Sequence, residues 1–364
     1  MSNARKLAAN LPREGQLSGR NMIQNGAFIV DQRELFTART VTTGSQRFVD
    51  RWGFYSDSGA TNNYSATSQA VDDGPPGFNK SLKFTVTGQT GAIPATSEVI
   101  LRQVLEGYQT NRLDFGTANA KNSTLSFWVK SSIAGNFGFT AQYVDSGGTN
   151  LYNLRSYTVN SANTWEYKII SIPKNTSNAF QQKTHLPGFR LNWDLGEGAT
   201  YSGSVTGNWQ SAYVNGLSGG VKIANTNGAT WQITGVMLEE GDQASPFEYE
   251  DYDRTLETCQ RYYQTSGQNR TYGLPFNQYT TTNAYSCMRW WKKMRVTPTI
   301  TMNSLGNYNV YHAAASRGKS AVGISQLSAN SGEFYITTDP LTAGYCTHLN
   351  TNGDTYMWLA DADF

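Results

Sequence analysis

From Asn21 to about Tyr249 apolar residues recur at every second position, a period that suits β-strands and little else. Leu82, Phe84 and Val86 alternate with Lys83, Thr85 and Thr87, and Leu125, Phe127 and Val129 alternate with Ser126, Trp128 and Lys130. Successive side chains on a strand point to opposite faces, so each run offers one face to a core. Further runs stand at Phe137 to Tyr143, Trp165 to Ile170, Phe189 to Trp193 and Trp231 to Leu238. Turn signals separate them, among them Asp73-Gly74-Pro75-Pro76-Gly77, Asp145-Ser146-Gly147-Gly148 and Asn225-Thr226-Asn227-Gly228. With no amphipathic helix between the runs, residues 21–249 are predicted to form an antiparallel β-sandwich.

One segment breaks the period. Between Asp251 and Tyr263 the residues Tyr252, Leu256, Cys259 and Tyr263 are spaced by 4, 3 and 4, which predicts a short helix with Asp251 or Asp253 as its N-cap. A helix this short needs burial to persist. Its stripe is two positions per heptad wide, which suits a seam between copies of the chain, with packing onto the chain's own sandwich as the alternative. Residues 250–264 therefore read as a helical linker and oligomer seam. Residues 265–364 look β again: Val296, Pro298, Ile300 and Met302 share a face, and the chain ends in alternating Trp358 to Phe364. Pro298 places its strand on an edge or at a bulge. No repeat of fixed period appears, which argues against a triple β-helix shaft.

A chain of 364 residues has room for two or three cores. Charged residues at 15%, aromatics at 13% and 35 glycines fit all-β structure with many turns. A net charge of +2 gives no electrostatic case for nucleic acid. Cys259, Cys287 and Cys346 form no CxxC pair and no even disulfide set, and read as free, buried thiols. Met1 to Leu7 is basic but no apolar run follows, which argues against an ordinary signal peptide, and no window approaches a membrane span. The expectation is a soluble protein made in a cytoplasm which, if it acts outside a cell, leaves by lysis or within a particle. Residues 1–20 carry Arg5, Lys6, Arg13 and Arg20 against the single acid Glu14, as a solvated tail or an anchoring arm would.

The two ends of the sandwich carry a resemblance. Asn21-Met22-Ile23-Gln24-Asn25-Gly26-Ala27-Phe28, then Asp31-Gln32-Arg33 and Asp50-Arg51-Trp52, look like an opening first-strand signature. Leu238-Glu239-Glu240-Gly241, Ser245-Pro246-Phe247-Glu248 and Thr258-Cys259-Gln260-Arg261-Tyr262-Tyr263 look like its closing counterpart. Together they resemble bacteriophage tail-fibre and receptor-binding proteins that carry a carbohydrate-binding-like jelly roll. Met288-Arg289, Arg295 to Thr299 and the Ala-Asp-Ala-Asp ending are similar to the distal part of such fibres. The resemblance implies a virion-anchoring arm at 1–20, a jelly roll at 21–249, a distal β domain at 265–364 and a homotrimer. Its implied partners are other virion proteins for the arm and host surface polysaccharide for the rest, with no membrane insertion. A head fibre or capsid-decorating protein is the structural alternative, and a surface-glycan depolymerase is the enzymatic one.

Catalytic chemistry finds few candidates. His185, His312 and His348 are isolated from one another, no GxSxG elbow exists, and Ser286-Cys287 has no motif-bound base. Glycan cleavage needs two carboxylates flanking one bond. Asp72, Asp73, Asp145, Asp194, Glu197, Glu239 and Glu240 are the candidates, most of them in turn-like contexts. No cofactor is expected, except that Asp72 and Asp73 are suited to a structural calcium among turn oxygens. Sugar binding asks for flat aromatics beside amide and guanidinium donors. Alternation sends Trp128 outward, and turns Arg190 and Asn192 away from Phe189, Leu191 and Trp193, while Trp52, Trp165 and Trp231 read as core. In the distal half, Tyr272 and Tyr279 are the candidate receptor contacts.

Overall fold

The predicted strands form, and the chain crosses repeatedly between two sheets. A computed structural model describes residues 19–33, 35–57, 63–177, 181–266, 274–313, 315–342, 345–351 and 356–364. It divides the chain into two units, Met1–Thr255 and Leu256–Phe364. The first unit contains β1 (Arg39–Thr40), β2 (Gly44–Val49), β3 (Trp52–Asp57), β4 (Tyr64–Val71), β5 (Ser81–Gln89), β6 (Glu98–Glu106) and β7 (Ser123–Ser131). It continues with β8 (Gly135–Val144), β9 (Asn150–Val159), β10 (Glu166–Ile172), β11 (Pro187–Asp194), β12 (Ser202–Gly203), β13 (Gly216–Leu217) and β14 (Thr230–Glu240). A single helical turn, α1 (Gly107–Thr110), follows β6.

One sheet runs β1-β4-β5-β14-β7-β10 and the other β2-β3-β6-β11-β8-β9. Four adjacent strands of each, β5-β14-β7-β10 and β6-β11-β8-β9, are the two halves of a jelly roll. Consecutive strands from β5 onward switch sheets except at the β8–β9 hairpin, and β14 returns between β5 and β7. The alternating apolar positions face inward. Trp193 lies at the centre of the core, with ring centroids 5.1 Å from Phe139, 5.6 Å from Trp52 and 5.8 Å from Phe127. Trp52, Trp193 and Trp231 are fully buried, as alternation required of Trp52 and Trp231. Truncating such a ring costs about 3–5 kcal/mol.

The opening signature is not a strand. Met22 N donates to Leu238 O at 2.8 Å and Val236 N donates to Gly26 O at 3.0 Å, so the segment touches β14 at both ends of a bulge. Asn25 (φ 52°), between these bonds, and Phe28 (φ 56°), just beyond them, take left-handed conformations that break the extended run. The bulge turns on Gly235 (φ 61°), and a Cβ at Gly26 would run into the Val236 carbonyl.

The predicted helix is α2 (Tyr252–Gln260), shorter than its expected span. It stops because Tyr263 belongs to the next strand, paired with Asp361, so Tyr252, Leu256, Cys259 and Tyr263 do not share one helical face. Tyr252 is exposed, Leu256 half-buried, and Thr255 and Cys259 are the buried residues of the helix.

The second unit contains β15 (Tyr263–Thr265), β16 (Leu274–Gln278), β17 (Asn283–Arg289), β18 (Thr299–Met302) and β19 (Tyr308–His312). It ends with β20 (Ala315–Arg317), β21 (Lys319–Ser325), β22 (Ser331–Thr338), β23 (Thr347–Thr351) and β24 (Trp358–Asp361). A three-stranded sheet runs β15-β24-β18 and a seven-stranded one β20-β19-β23-β16-β17-β22-β21. Pro298 directly precedes β18, an edge strand, where its missing N–H costs no ladder bond. Phe276, Val310, Phe334, Ile336, Leu349 and Trp358 build the core. The three cysteines are free, but only Cys259 is buried. Cys287 and Cys346 are exposed, contrary to expectation, Cys287 because it shares the outward face of β17 with Tyr285.

Gly26→Ala is expected to lower the Tm of the first unit by several degrees in calorimetry, because its Cβ meets backbone rather than a mobile side chain, an overpacking cost of about 1–3 kcal/mol. An unchanged Tm would mean that the segment 21–31 is not held against β14.

Candidate functional site

The two sheets treat their outer faces differently. On the β7–β10 edge of the first sheet the outer face is open. Register sets Tyr167 directly opposite Trp128, with ring centroids 5.3 Å apart and planes at 49°. Ile169, two positions on, is 57% exposed and Tyr167 is 40% exposed. Trp165 caps one end of this row outside the core, contrary to the sequence expectation, because it precedes β10 on the same outward side as Tyr167. Lys130 Nζ sits 5.0 Å from the Trp165 ring centroid and pairs with Asp73, whose other oxygen accepts from Trp165 Nε1 at 3.5 Å. Burial raises the Asp73 carboxyl, but the hydrogen bond and charge of Lys130, with Trp165, bring it below the usual range. The result is an exposed aromatic shelf with a fixed ion pair at its rim.

The outer face of the second sheet is covered. Within the 195–229 connection, residues 201–222 run back across it, and short β12 and β13 pair in parallel within this cap. Alternation did turn Arg190 and Asn192 away from the core, yet Asn192 is wholly buried beneath the cap and Arg190 half-buried. Arg102 Nε donates to Asn192 Oδ1 at 2.7 Å, and Asn192 Nδ2 donates to Asn215 Oδ1 at 3.1 Å. Arg190 donates to Asn150 Oδ1 at 3.0 Å, as does Gln142 Nε2 at 2.9 Å. Burial lowers both guanidinium groups, Arg190 to about 10.

Three carboxylates lie in this layer. Asp194 pairs with Lys222 and accepts from Glu197 N at 2.9 Å and Leu217 N at 3.0 Å. Glu98 accepts from the Tyr213 hydroxyl. Glu197 is 2% exposed, and neither of its oxygens has a hydrogen-bond partner. Burial first, then the charges of Asp194 and Glu98, pushes its carboxyl well above the ordinary range.

The remaining candidate acids are separately engaged. Asp72 pairs with Lys80 at 2.6 Å, and Asp73 with Lys130, so one oxygen of each carboxylate holds an ammonium. Asp145 caps its own turn through Gly147 N and Thr149 N, Glu239 accepts from Ser245, and Glu240 pairs with Lys121. Asp194 and Glu197 alone among the seven are brought together, and both are sealed. No group of three metal-ligating side chains occurs among the described residues.

Of the arm residues, Arg5, Lys6 and Arg13 lie outside the described residues, as does Tyr272. Arg20 is part of the first unit: it donates to Ser245 Oγ at 2.9 Å, while Arg112 donates to the carbonyls of Gly19 and Arg20. Glu248 accepts from Gly19 N and Asn21 N, so the sequence motif Pro246-Phe247-Glu248 fixes where the arm departs. Beside it, Phe78 and Tyr249 stack and both meet Phe247 edge-on, with centroids 5.0–5.4 Å apart, walling a cavity of about 150 Å³, space for one small ring.

No protein-family profile matches the chain, and no curated protein sequence matches it. Among solved structures, the enzymatically active domain of bacteriophage CBA120 tailspike protein 4 is similar at 12% identity and a TM-score of 0.34, over 61% of this chain and 22% of that one. A carbohydrate-binding module of the CBM4 type matches at 14% identity and a TM-score of 0.30, over 60% of this chain and 99% of that one. The family 11 carbohydrate-binding module of Clostridium thermocellum, in complex with a β-1,3-1,4-mixed-linked tetrasaccharide, matches at 13% identity and a TM-score of 0.28, over 56% of this chain and 100% of that one.

The raised Glu197 carboxyl has a pH signature. In the unfolded chain it titrates near pH ~4.3. Stability from the neutral folded form is fully present below that value and is lost as pH rises towards the folded one. Glu197→Gln is accordingly expected to raise Tm at neutral pH and change little in acid near pH ~4. Equal effects at both pH values would show that ionisation of Glu197 does not strain the cap.

Proposed function

We propose that the chain is a non-catalytic subunit of a bacteriophage fibre that holds host surface polysaccharide on the aromatic shelf of its jelly roll. The observation that carries this reading is the Trp128–Tyr167 pair, two rings 5.3 Å apart on an outer sheet face, prolonged by exposed Ile169. Monomeric proteins seldom leave such a patch in water without a use for it. Flat ring faces receive the C–H side of a pyranose, and the Asp73–Lys130 pair stands at the rim to meet its hydroxyls. The opening and closing motifs support the fibre assignment by their resemblance to tail-fibre proteins.

The same reading makes the protein a homotrimer and residues 1–20 its attachment to other virion proteins. Exposed Tyr252 and half-buried Leu256 on α2 are consistent with a seam confined to the first turns of that helix. Catalysis is not part of the proposal, since the sequence's candidate carboxylates are either individually paired or sealed beneath the cap.

Trp128→Ala and Tyr167→Ala should each weaken binding of host polysaccharide by about tenfold or more in titration, as truncation of an anchoring aromatic does, with Tm unchanged. Polysaccharide incubated with intact protein should keep its length in size-exclusion; shortened chains would promote the depolymerase reading. Removing residues 1–18, short of the anchored Gly19–Asn21, should preserve folding and abolish incorporation into virions. Normal incorporation would place attachment elsewhere in the chain.

A further inference from the structure

The outward face of the seven-stranded sheet carries a row of tyrosines that the proposed shelf does not involve. Tyr285 on β17 stands directly opposite Tyr335 on β22, with centroids 6.5 Å apart. Tyr279, just beyond β16, meets Tyr285 edge-on at 5.4 Å and is 78% exposed. On the other side β21 sets Gly323 opposite Tyr335, and a Cβ there would strike the Tyr335 ring, so that ring lies across the edge strand. The alternate residues Ala284, Phe334 and Ile336 fill the core, which leaves the tyrosines no packing role on the inner side.

Polar groups surround the rings. Thr337 Oγ1 donates to Asn283 Oδ1 at 2.9 Å and Ser325 Oγ to Glu333 Oε2 at 3.2 Å, and Asn277 is exposed beside Tyr285. Among the described residues none of the three phenol hydroxyls has a hydrogen-bond partner. Ring faces interleaved with free hydroxyls and amides match a polyol with apolar C–H faces. A partner helix would need an apolar groove, and an added peptide strand would take the β21 edge rather than the face.

We propose that the row Tyr279–Tyr285–Tyr335 is a second glycan-binding face, taking an oligosaccharide laid along the rings. It stands independently of the Trp128 shelf, and two sites on one chain raise retention on a repeating polysaccharide through local concentration.

The test uses the full chain and immobilised bacterial capsular and O-chain polysaccharides as probes. The Trp128→Ala chain should retain measurable binding to at least one of them. Adding Tyr285→Ala and Tyr335→Ala should reduce that residual at least tenfold with Tm unchanged. Should the combined variant fold poorly, Tyr279→Ala, which removes an exposed ring outside the core, must reduce it as well. Residual binding untouched by the tyrosine variants, or no binding left after Trp128→Ala alone, overturns the proposal while leaving the jelly-roll shelf standing. Binding lost with the tyrosines but unaffected by Trp128→Ala keeps this face and removes the shelf. Capture of a protein instead of any glycan overturns both.

Discussion

The side-chain amide of Asn25 joins three pieces of chain that no sheet ladder connects. Its nitrogen donates to the carbonyls of Val30 at 2.8 Å and Asp50 at 3.0 Å, its oxygen accepts from Val30 N, and its backbone carbonyl accepts from Trp52 Nε1. Each group is buried, and each left unpaired would cost about 1–3 kcal/mol. Trp52 is thereby fixed in rotation, and Trp193, at the centre of the core, packs against it. Arg51 extends the same junction, donating to Gln24 Oε1 and to the Val104 carbonyl while only 2% exposed. The sequence motifs Gln24-Asn25-Gly26 and Asp50-Arg51-Trp52 are two halves of one polar knot that closes the jelly roll.

That knot marks where alternation stops being informative. A period of two found β5, β7, β8, β10, β11 and β14, because their core positions alternate with polar or small residues, even in β8 and β14, where both faces are buried. It missed β6, Glu98–Glu106, whose residues are buried on both faces except for half-buried Arg102. Ile100 and Val104 put large apolar residues on its second face as well, so the alternation is lost. The opening signature suggested a strand by resemblance alone. Its function depends on left-handed Asn25 and Phe28, which no hydrophobic pattern records. The helix was legible in position but not in extent, since Tyr263 prefers the ladder with β24 to another helical turn.

The candidate site was half legible for the same reason. Alternation states which side of a strand points away from the core; it does not say whether that side meets water. For Trp128 it does. For Asn192 the space is filled by residues 201–222, and the signal that could have warned of this was length. A connection of over thirty residues between β11 and β14 is far longer than the ~4–6 residues usual between packed elements, so it had to cover something. Trp165 is the opposite case: at the start of an apolar run it reads as core, whereas its partner is the Lys130–Asp73 pair outside.

The contrast between the two outer faces constrains what each can be used for. Beneath the cap, Asn192 bonds Arg102, Gln142 and Asn215, Arg190 and Gln142 meet on Asn150, and Asp194 holds Lys222. Removing one member of such a layer leaves another buried and unpaired, so the layer resists change. None of Trp128, Tyr167 and Ile169 belongs to the core of the first unit, and neither Tyr279 nor Tyr285 to that of the second. Their side chains are replaceable at little cost to folding, because surface substitutions usually stay within about ±0.5 kcal/mol. A protein that must follow a varying surface polysaccharide gains from that division, with a rigid scaffold beneath and aromatic shelves whose residues are free to change above it. On the proposed reading, the cap is scaffold and the open faces carry specificity.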